Sequence, residues 1–405
     1  MDFGIGSATS KFIAEYNAKR DYEKSNEYIA NSFAIYSFIA FVIFVVVFIL
    51  WFFLNGIYNH LTSNELATFK KLYLVVGSYS IFLFPFSPLN SILGGYGKFI
   101  ELKMTILVQR VLNVIFIVIA LFGGMGVFSL VLVNALTGIV MTVLQFIFVK
   151  RLYEVHISFK MLSLKVIKSI AGFSLWLLIS QICQNFLINL APTIIGAKLS
   201  TTEVTLFSIS LTLERYVLTF STGINGLFLP KVSSMMTDSH NREARITELM
   251  IKVGKISLSI VGYIIIGYIV LGKAFVNLWM GPQYGVVYYN ALILMLPLLI
   301  SASQQIGYTY IMARGEIRHQ SMADFISSLL GLAMVYVLTG KLGVVGASLG
   351  VSLSLFMNSV IMNFLYARKL KLDIMLFYKK TYFKWILLGI LTLGFGFFFT
   401  GTIEI

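Results

Sequence analysis

A stripe of polar side chains interrupts the apolar segment 203–229. Its members lie three or four residues apart and are Ser208, Thr212, Arg215 and Thr219. This spacing places them on one face if the segment is a helix. The guanidinium of arginine matches phosphate oxygens because it presents its N–H donors in a planar fork. The stripe therefore predicts a polar surface within the segment, with Arg215 as a charged contact suited to an anionic ligand.

Two charges lie next to each other in this segment. Arg215 is about 12 residues, or roughly 18 Å of helix, from the inner end of the segment, which is too deep for its head to reach water easily. The alternative to ligand binding is an ion pair with a carboxylate on a neighbouring helix. Glu214 points about 100° away from Arg215. It is therefore a candidate for a coupling proton or sodium ion rather than for the same surface.

Two further segments carry polar side chains at helical spacing. Gln181 and Asn185 are four residues apart, and Gln305 and Tyr308 are three apart. Such side chains either form hydrogen bonds between helices or contact a bound polar substrate. Both interpretations stay open, and all four residues are candidate substrate contacts.

Arg110 and Asn113 form a weaker candidate set near the inner end of another apolar segment, because Arg110 can reach the headgroups from there. Asp324 lies four residues inside its segment, and we expect it to stabilise the first turn of a helix. The histidines lie in loops without metal-ligand spacing, and no Walker-type loop is present. We therefore expect no metal, no cofactor, no catalytic residue and no direct use of ATP.

The composition shows what positions these side chains. Hydrophobic residues make up 58% of the 405 residues and charged residues 12%, against roughly 45–50% and about 25% in soluble domains. The long apolar runs predict about eleven membrane-spanning helices and a partial one at the N-terminus. The spans are predicted at 32–54, 72–93, 104–122, 127–149, 170–192, 203–229, 256–277, 290–312, 320–340, 344–366 and 384–400.

Positive charge follows the alternation of these spans. If the first polar segment is inside, 24 of the 31 Lys and Arg residues lie in inside loops and five in outside loops. This bias predicts the orientation of the chain. It also accounts for the net charge of +14, so we expect no nucleic-acid partner. We expect no cleavable signal peptide, because residues 1–31 are polar and charged where an apolar core would be needed.

The chain repeats itself at an offset of about 217–220 residues. Gly126-Val127 aligns with Gly343-Val344, and Gly97 aligns with Gly315. Each copy then contains six spans, so the copies are expected to be parallel repeats forming two pseudo-symmetric helical lobes. By the same alignment we expect one span and most of another to be missing from the front of the first copy.

Three short motifs resemble a known family. Residues 2–6 (DFGIG), with 11–16 (KFIAEY), are similar to the end of the second span of polysaccharide-transporter flippases. Residues 228–233 (FLPKVS) resemble the exit from its eighth span, and 275–284 (FVNLWMGPQY) resemble its Trp-x-Gly-x-x-Tyr turn. This family handles O-antigen or capsule units and belongs to the superfamily of the MATE multidrug exporters. The resemblance implies an all-α membrane protein with two lobes around a central cavity.

From this resemblance we expect a bacterial inner-membrane, multi-pass flippase for a polyprenyl-diphosphate-linked oligosaccharide. Its partners would be that substrate, membrane lipid and other polysaccharide assembly proteins, and its polar side chains would contact phosphate or sugar. The alternatives are a cation-coupled multidrug antiporter of the same superfamily or a membrane glycan polymerase. We predict an N-terminal lobe at 1–150, a basic linker at 151–169, a C-terminal lobe at 170–366 and an additional helix at 384–400.

Overall fold

The computed structural model describes residues 4–57, 63–124, 126–152, 155–156, 158, 161–225, 228–236 and 241–402. The described residues form helices joined by short turns. The helices are α1 Ile5–Ala18, α2 Tyr22–Ile57, α3 Ser63–Leu83, α4 Pro88–Gly95, α5 Phe99–Phe122, α6 Gly126–Lys150, α7 Leu164–Lys198, α8 Thr201–Asn225, α9 Leu229–Met235, α10 Arg242–Met280, α11 Gly285–Met295, α12 Leu298–Ser303, α13 Gln305–Arg314, α14 Ile317–Arg368 and α15 Ile374–Thr402.

Within the described ranges, nine helical segments are long and apolar enough to cross a membrane. One of them, α14, has 52 residues, or about 78 Å at helical rise, which is more than twice the roughly 30 Å of a hydrocarbon core. Gly343 interrupts it with φ 62° and ψ −145°. The long helix therefore comprises the two predicted spans 320–340 and 344–366. The predicted span 203–229 corresponds to α8, which is more polar than the nine.

The first compact unit is Met1–Ser174. In it α6 packs on α3, α4 and α5, and α1 packs on α2 and α4. Its buried core includes Ile13, Ile29, Leu89, Ile92 and Leu93. On α2, by contrast, Phe38, Phe41 and Phe52 are 61–67% exposed. Large apolar side chains on the outside are typical of a helix that faces lipid tails.

The helix α1 carries a charged cluster. Lys11 is 6% exposed, and its Nζ lies 2.8 Å from Oε2 of Glu15, while Lys19 lies 2.8 Å from Oε1 of the same carboxylate. Burial by itself raises the pKa of Glu15, but the hydrogen bonds and charges of the two lysines outweigh it. The pKa of Glu15 is therefore held below its usual value.

The second compact unit is Leu175–Ile405. In it α8 packs on α11, α11 packs on α14, and α10 packs on α12 and α15. A buried cluster that includes Leu187, Phe207, Leu294, Val335 and Val351 joins α7, α8, α11 and both halves of α14. The division between the units falls within α7, and the domain boundaries drawn from the sequence stay a prediction.

Two pairs of glycines support the internal repeat. Gly97 and Gly315 have φ of 70° and 72°, and Gly126 and Gly343 have φ of 56° and 62°. L-residues with a side chain rarely adopt positive φ, so glycine is the residue expected at such turns. The pairs that the sequence alignment matched therefore adopt matching backbone conformations. The predicted all-α, two-lobed fold class is confirmed.

Candidate functional site

The polar stripe of α8 lies on the surface of the C-terminal unit. Its four side chains are all exposed. The hydroxyls of Thr212 and Thr219 each donate a 2.8 Å hydrogen bond to the backbone oxygen one turn earlier, that of Ser208 and that of Arg215. The hydroxyls thereby satisfy their own donors within the helix. The oxygen of the exposed Thr212 hydroxyl can still accept a hydrogen bond from a ligand.

Arg215 is the only charged member of the stripe. It forms no ion pair with a carboxylate in the part of the chain that the structure describes. Along the helix axis, Arg215 lies about 15 Å from the end of α8 at Asn225. The expected alternative, a structural pair on a neighbouring helix, is therefore not seen among the described residues. The guanidinium is free to meet an anion.

Glu214 lies on the opposite, buried face of α8. It is 5% exposed, and Ser210, one turn earlier, is wholly buried. The Ser210 hydroxyl donates to the backbone oxygen of Leu206 at 2.8 Å and to that of Val287 in α11 at 3.3 Å. Glu214 thus faces the interior of the C-terminal unit, and Arg215 faces its surface.

A second buried carboxylate has a complete set of neutral partners. Asp324 in α14 is 2% exposed. Ser180 donates to its Oδ2, and Asn358 donates to its Oδ1 at 2.7 Å. The side chains of Gln184 and Gln320 lie beside the same carboxyl group. We call these five residues the Asp324 cluster. It contains no cationic side chain.

Close helix packing brings the two halves of α14 to this cluster. A Cβ on Gly350 would lie 2.6 and 2.7 Å from backbone atoms of Val335, so only glycine allows this approach. Nearby, Ser354 donates a 2.6 Å hydrogen bond to the backbone oxygen of Ser327. Asn358, one turn further on, reaches Oγ of Ser327 at 3.0 Å. The spacing of the two half-helices therefore positions Asn358 against the carboxyl group.

The other C-terminal candidates divide between this cluster and α7. Tyr308 lies beside Gln320, at the edge of the Asp324 cluster. Asn185 donates a 2.8 Å hydrogen bond to the backbone oxygen of Gln181, within its own helix. Gln181 and Gln305 are half-buried.

The candidates in the N-terminal unit differ in their contacts. Asn113 of α5 donates to Oδ1 of Asn134 at 2.8 Å and to Oγ1 of Thr137 at 3.2 Å. These bonds join α5 to α6 and match the interhelical interpretation. Arg110 is exposed and has no ion pair among the described residues.

Similarity to a protein family covers most of the chain. Residues 16–289 match the family model described as polysaccharide biosynthesis protein. The chain belongs to this polysaccharide biosynthesis protein family. No curated protein matches the sequence.

The fold of this polysaccharide biosynthesis protein is similar to that of solved MATE transporters. A MATE protein in a bent conformation aligns with a TM-score of 0.78 at 16% identity, over 94% of this chain and 85% of that one. An outward-facing multidrug resistance MATE transporter of the MOP superfamily aligns with 0.74 at 15%, over 91% and 83%. A MOP superfamily transporter from Pyrococcus furiosus Vc1, described as having a binding pocket of reverse polarity, aligns with 0.73 at 16%, over 91% and 83%. At these identities the likeness concerns the fold.

In this polysaccharide biosynthesis protein, the structural role of Asp324 differs from the predicted one. The expectation that it stabilises a first turn is wrong, because α14 begins at Ile317 and has no acidic residue in its first turn. A signal was present, since Gln320, Asp324 and Ser327 fall at i, i+4 and i+7 on one helix face. Partners from other helices, such as Asn358, could not be assigned from spacing alone.

Proposed function

We propose that this protein is a flippase that carries a polyprenyl-diphosphate-linked oligosaccharide across the bacterial cytoplasmic membrane by alternating access. The observation that carries the proposal is the exposed guanidinium of Arg215 at mid-length of α8, which forms no ion pair with any described residue. Membership of the polysaccharide biosynthesis protein family supports the substrate class.

The physical problem for such a substrate is its diphosphate. The lipid tail stays in the bilayer, but an ionised phosphate is strongly disfavoured in hydrocarbon without compensating partners. Arg215 supplies a fixed positive charge with bidentate geometry. Exposed hydroxyls at Ser208, Thr212 and Thr219 extend the same face. This face would bind the diphosphate, and Gln181, Asn185, Gln305 and Tyr308 remain proposed sugar contacts, as do Arg110 and Asn113.

Transport against a gradient needs a coupling site, and we assign that role to Asp324 in preference to Glu214. Glu214 has no hydrogen-bond partner among the described residues, whereas Asp324 is surrounded by four neutral polar side chains. In addition, Oε1 of Gln320 is buried without a partner in the described structure. A protonated Asp324 could donate to this oxygen, and a bound sodium ion could use it as a ligand.

A cation-coupled multidrug antiporter is the second candidate. The observation that favours it is the pair of buried carboxylates, Glu214 and Asp324, neither of which forms an ion pair within the described ranges. A cationic drug would need such a group. Arg215, by contrast, is exposed, and its positive charge repels cations. This repulsion favours the flippase over the antiporter.

The test is transport in proteoliposomes of a fluorescent polyprenyl-diphosphate disaccharide. Arg215→Gln should slow translocation about ten- to a hundredfold, because a hydrogen bond to a charged group contributes about 1.5–3 kcal/mol. Arg215→Lys should restore part of the rate. Lys273→Gln removes another exposed cation of the C-terminal unit and is the matched control.

The outcomes separate the two candidates. Slow transport by Arg215→Gln with normal transport by Lys273→Gln supports the flippase and its phosphate contact. If the wild-type chain leaves the lipid in place but moves an organic cation against a proton or sodium gradient, the substrate assignment is wrong and the antiporter is correct.

A further inference from the structure

A polar pocket of about 130 Å³ opens between helices of the N-terminal unit. It is lined by α3, the turn before α4, α4 itself, α5 and α6. The polar residues at its wall are Tyr79, Ser87, Asn90, Gln109, Thr142 and Gln145. No Lys, Arg, Asp, Glu or His lines it.

Several groups at this wall have unused hydrogen-bonding capacity. Gln145 is 2% exposed, and its Nε2 donates to Oδ1 of Asn90 at 2.8 Å and to Oγ1 of Thr105 at 3.4 Å. Asn90 is thus held in place through its side-chain oxygen, while its side-chain N–H groups have no hydrogen-bond partner among the described residues. In the described ranges, the side-chain amide of Gln109 and the hydroxyl of Tyr79 have no hydrogen-bond partner either.

The depth of the pocket makes these free groups significant. Gln109 lies five residues, or about 8 Å at helical rise, inside the predicted span 104–122. Unpaired polar groups at that depth are unfavourable in a bilayer, so a span retains them only beside a cavity or a ligand. The backbone favours this arrangement, because the Tyr79 hydroxyl lies against Gly138, where a Cβ would collide with it.

The chemistry of the wall selects the ligand. An uncharged wall leaves an ionic group without a counter-charge, which disfavours phosphate and carboxylate. Side-chain amides offer a donor and an acceptor side by side, which matches neighbouring hydroxyls that both donate and accept. Phe86 and Tyr79 add aromatic surface for the apolar side of a ring.

We infer that this pocket binds a neutral sugar ring of the transported glycan, with Gln109, Asn90 and Tyr79 as its hydroxyl contacts. The inference rests on the proposed function and extends it. The pocket adds a sugar-binding region in the N-terminal unit to the sugar contacts proposed above. With a volume of about 130 Å³ the pocket takes part of one sugar unit and not the whole glycan.

The experiment compares two lipids in proteoliposomes: polyprenyl diphosphate carrying a neutral disaccharide, and polyprenyl diphosphate alone. The variant is the double substitution Gln109→Met with Tyr79→Phe, which removes the free polar atoms and keeps the side-chain shapes. Its matched control is Gln283→Met with Tyr263→Phe, at exposed positions of the C-terminal unit.

The double variant should move the disaccharide lipid about tenfold more slowly, since two neutral hydrogen bonds contribute roughly that factor. It should move the bare lipid at the wild-type rate. Equal slowing of both lipids, or of neither, overturns the inference. The control should match the wild type on both lipids.

A binding measurement keeps the inference testable if the wild type moves neither lipid, in which case the proposed function fails. Saturation-transfer NMR then follows a methyl glycoside and its glucuronide with the detergent-solubilised protein. Binding of the neutral glycoside alone, lost in the double variant, supports the pocket. No binding, or equal binding of the charged glucuronide, overturns it.

Discussion

Each unit contains a polar region, and the two regions differ in charge and in hydrogen bonding. In the C-terminal unit, the carboxyl group of Asp324 is 2% exposed, and each of its oxygens accepts a hydrogen bond. In the N-terminal unit, the pocket at Gln109 is uncharged, and several of its donors and acceptors are free in the described structure. A charged cluster of that unit lies instead in α1, where Glu15 is paired with two lysines.

The two polar regions are therefore suited to different roles in transport. A buried carboxyl group with neutral partners can gain or lose a proton or cation, because no lysine or arginine holds it permanently ionised. Neutral polar groups beside a cavity can form hydrogen bonds with a ligand, but they do not bind a coupling proton or cation. The structure is therefore consistent with separate regions for coupling and for sugar recognition. Three substitutions test the contrast.

The largest effect is expected from Asp324→Asn. Asparagine keeps the shape and can still accept a hydrogen bond from Asn358, so the fold should survive. Gradient-driven transport should fall about ten- to a hundredfold, since interactions of a charged group contribute about 1.5–3 kcal/mol. Transport with and without an imposed gradient measures this.

The control for Asp324→Asn is Glu248→Gln, which neutralises an exposed carboxylate at the inner end of α10. It should transport normally. Undiminished gradient-driven transport by Asp324→Asn would remove the coupling role of the cluster. The C-terminal polar centre would then be a structural network only.

A second substitution tests whether helix spacing maintains the Asp324 cluster. Gly350→Ala adds a Cβ that would lie within 2.7 Å of the Val335 backbone. Overpacking of this kind destabilises a protein by about 1–3 kcal/mol. We expect a lower melting temperature in detergent and slower transport, because Asn358 moves away from Asp324.

The matched control is Gly267→Ala in α10, where nothing lies within 4 Å of an added Cβ. Alanine favours helix over glycine by about 0.5–1 kcal/mol, so this variant should melt at the wild-type temperature or slightly above it. If both variants behave alike, close approach at Gly350 does not set the geometry of the cluster.

The fold was predictable from sequence because its signals are local. Long apolar runs and the alternation of charge locate spans one at a time, and the glycines at 126 and 343 mark the same turn in each repeat. One predicted span, 203–229, differs from the others in polarity. Segment 203–229 was predicted as a span although its stripe makes it more polar than the nine apolar helices.

The polar centres were harder to predict because they depend on contacts between helices. The four stripe residues were found because they share one helix. The Asp324 cluster draws Ser180 from α7 and Asn358 from the second half of α14. The polar pocket of the N-terminal unit combines Asn90, Gln109 and Gln145 from three helices. No spacing rule within one helix can connect such residues.

The smallest effect is expected from Glu15→Gln, which breaks the charged cluster of α1. The pair of Glu15 with the buried Lys11 is less screened by water than the pair with the exposed Lys19. Loss of both should reduce the stability of the folded state by about 1 kcal/mol at neutral pH. Thermal unfolding of wild type and variant in detergent measures the difference.

The lowered pKa of Glu15 determines how its contribution to stability changes with pH. The pKa of Glu15 is lower in the folded protein than in the unfolded chain, so its stabilisation is present above the unfolded value of about 4.3. The stabilisation is lost as the pH falls through the folded pKa. Wild type and Glu15→Gln should therefore differ at pH 7 and converge in acid, while Glu248→Gln follows the wild type throughout. A difference that persists in acid would mean that Glu15 acts through packing, and the contrast between paired charge in α1 and unpaired charge at Asp324 would lose its electrostatic basis.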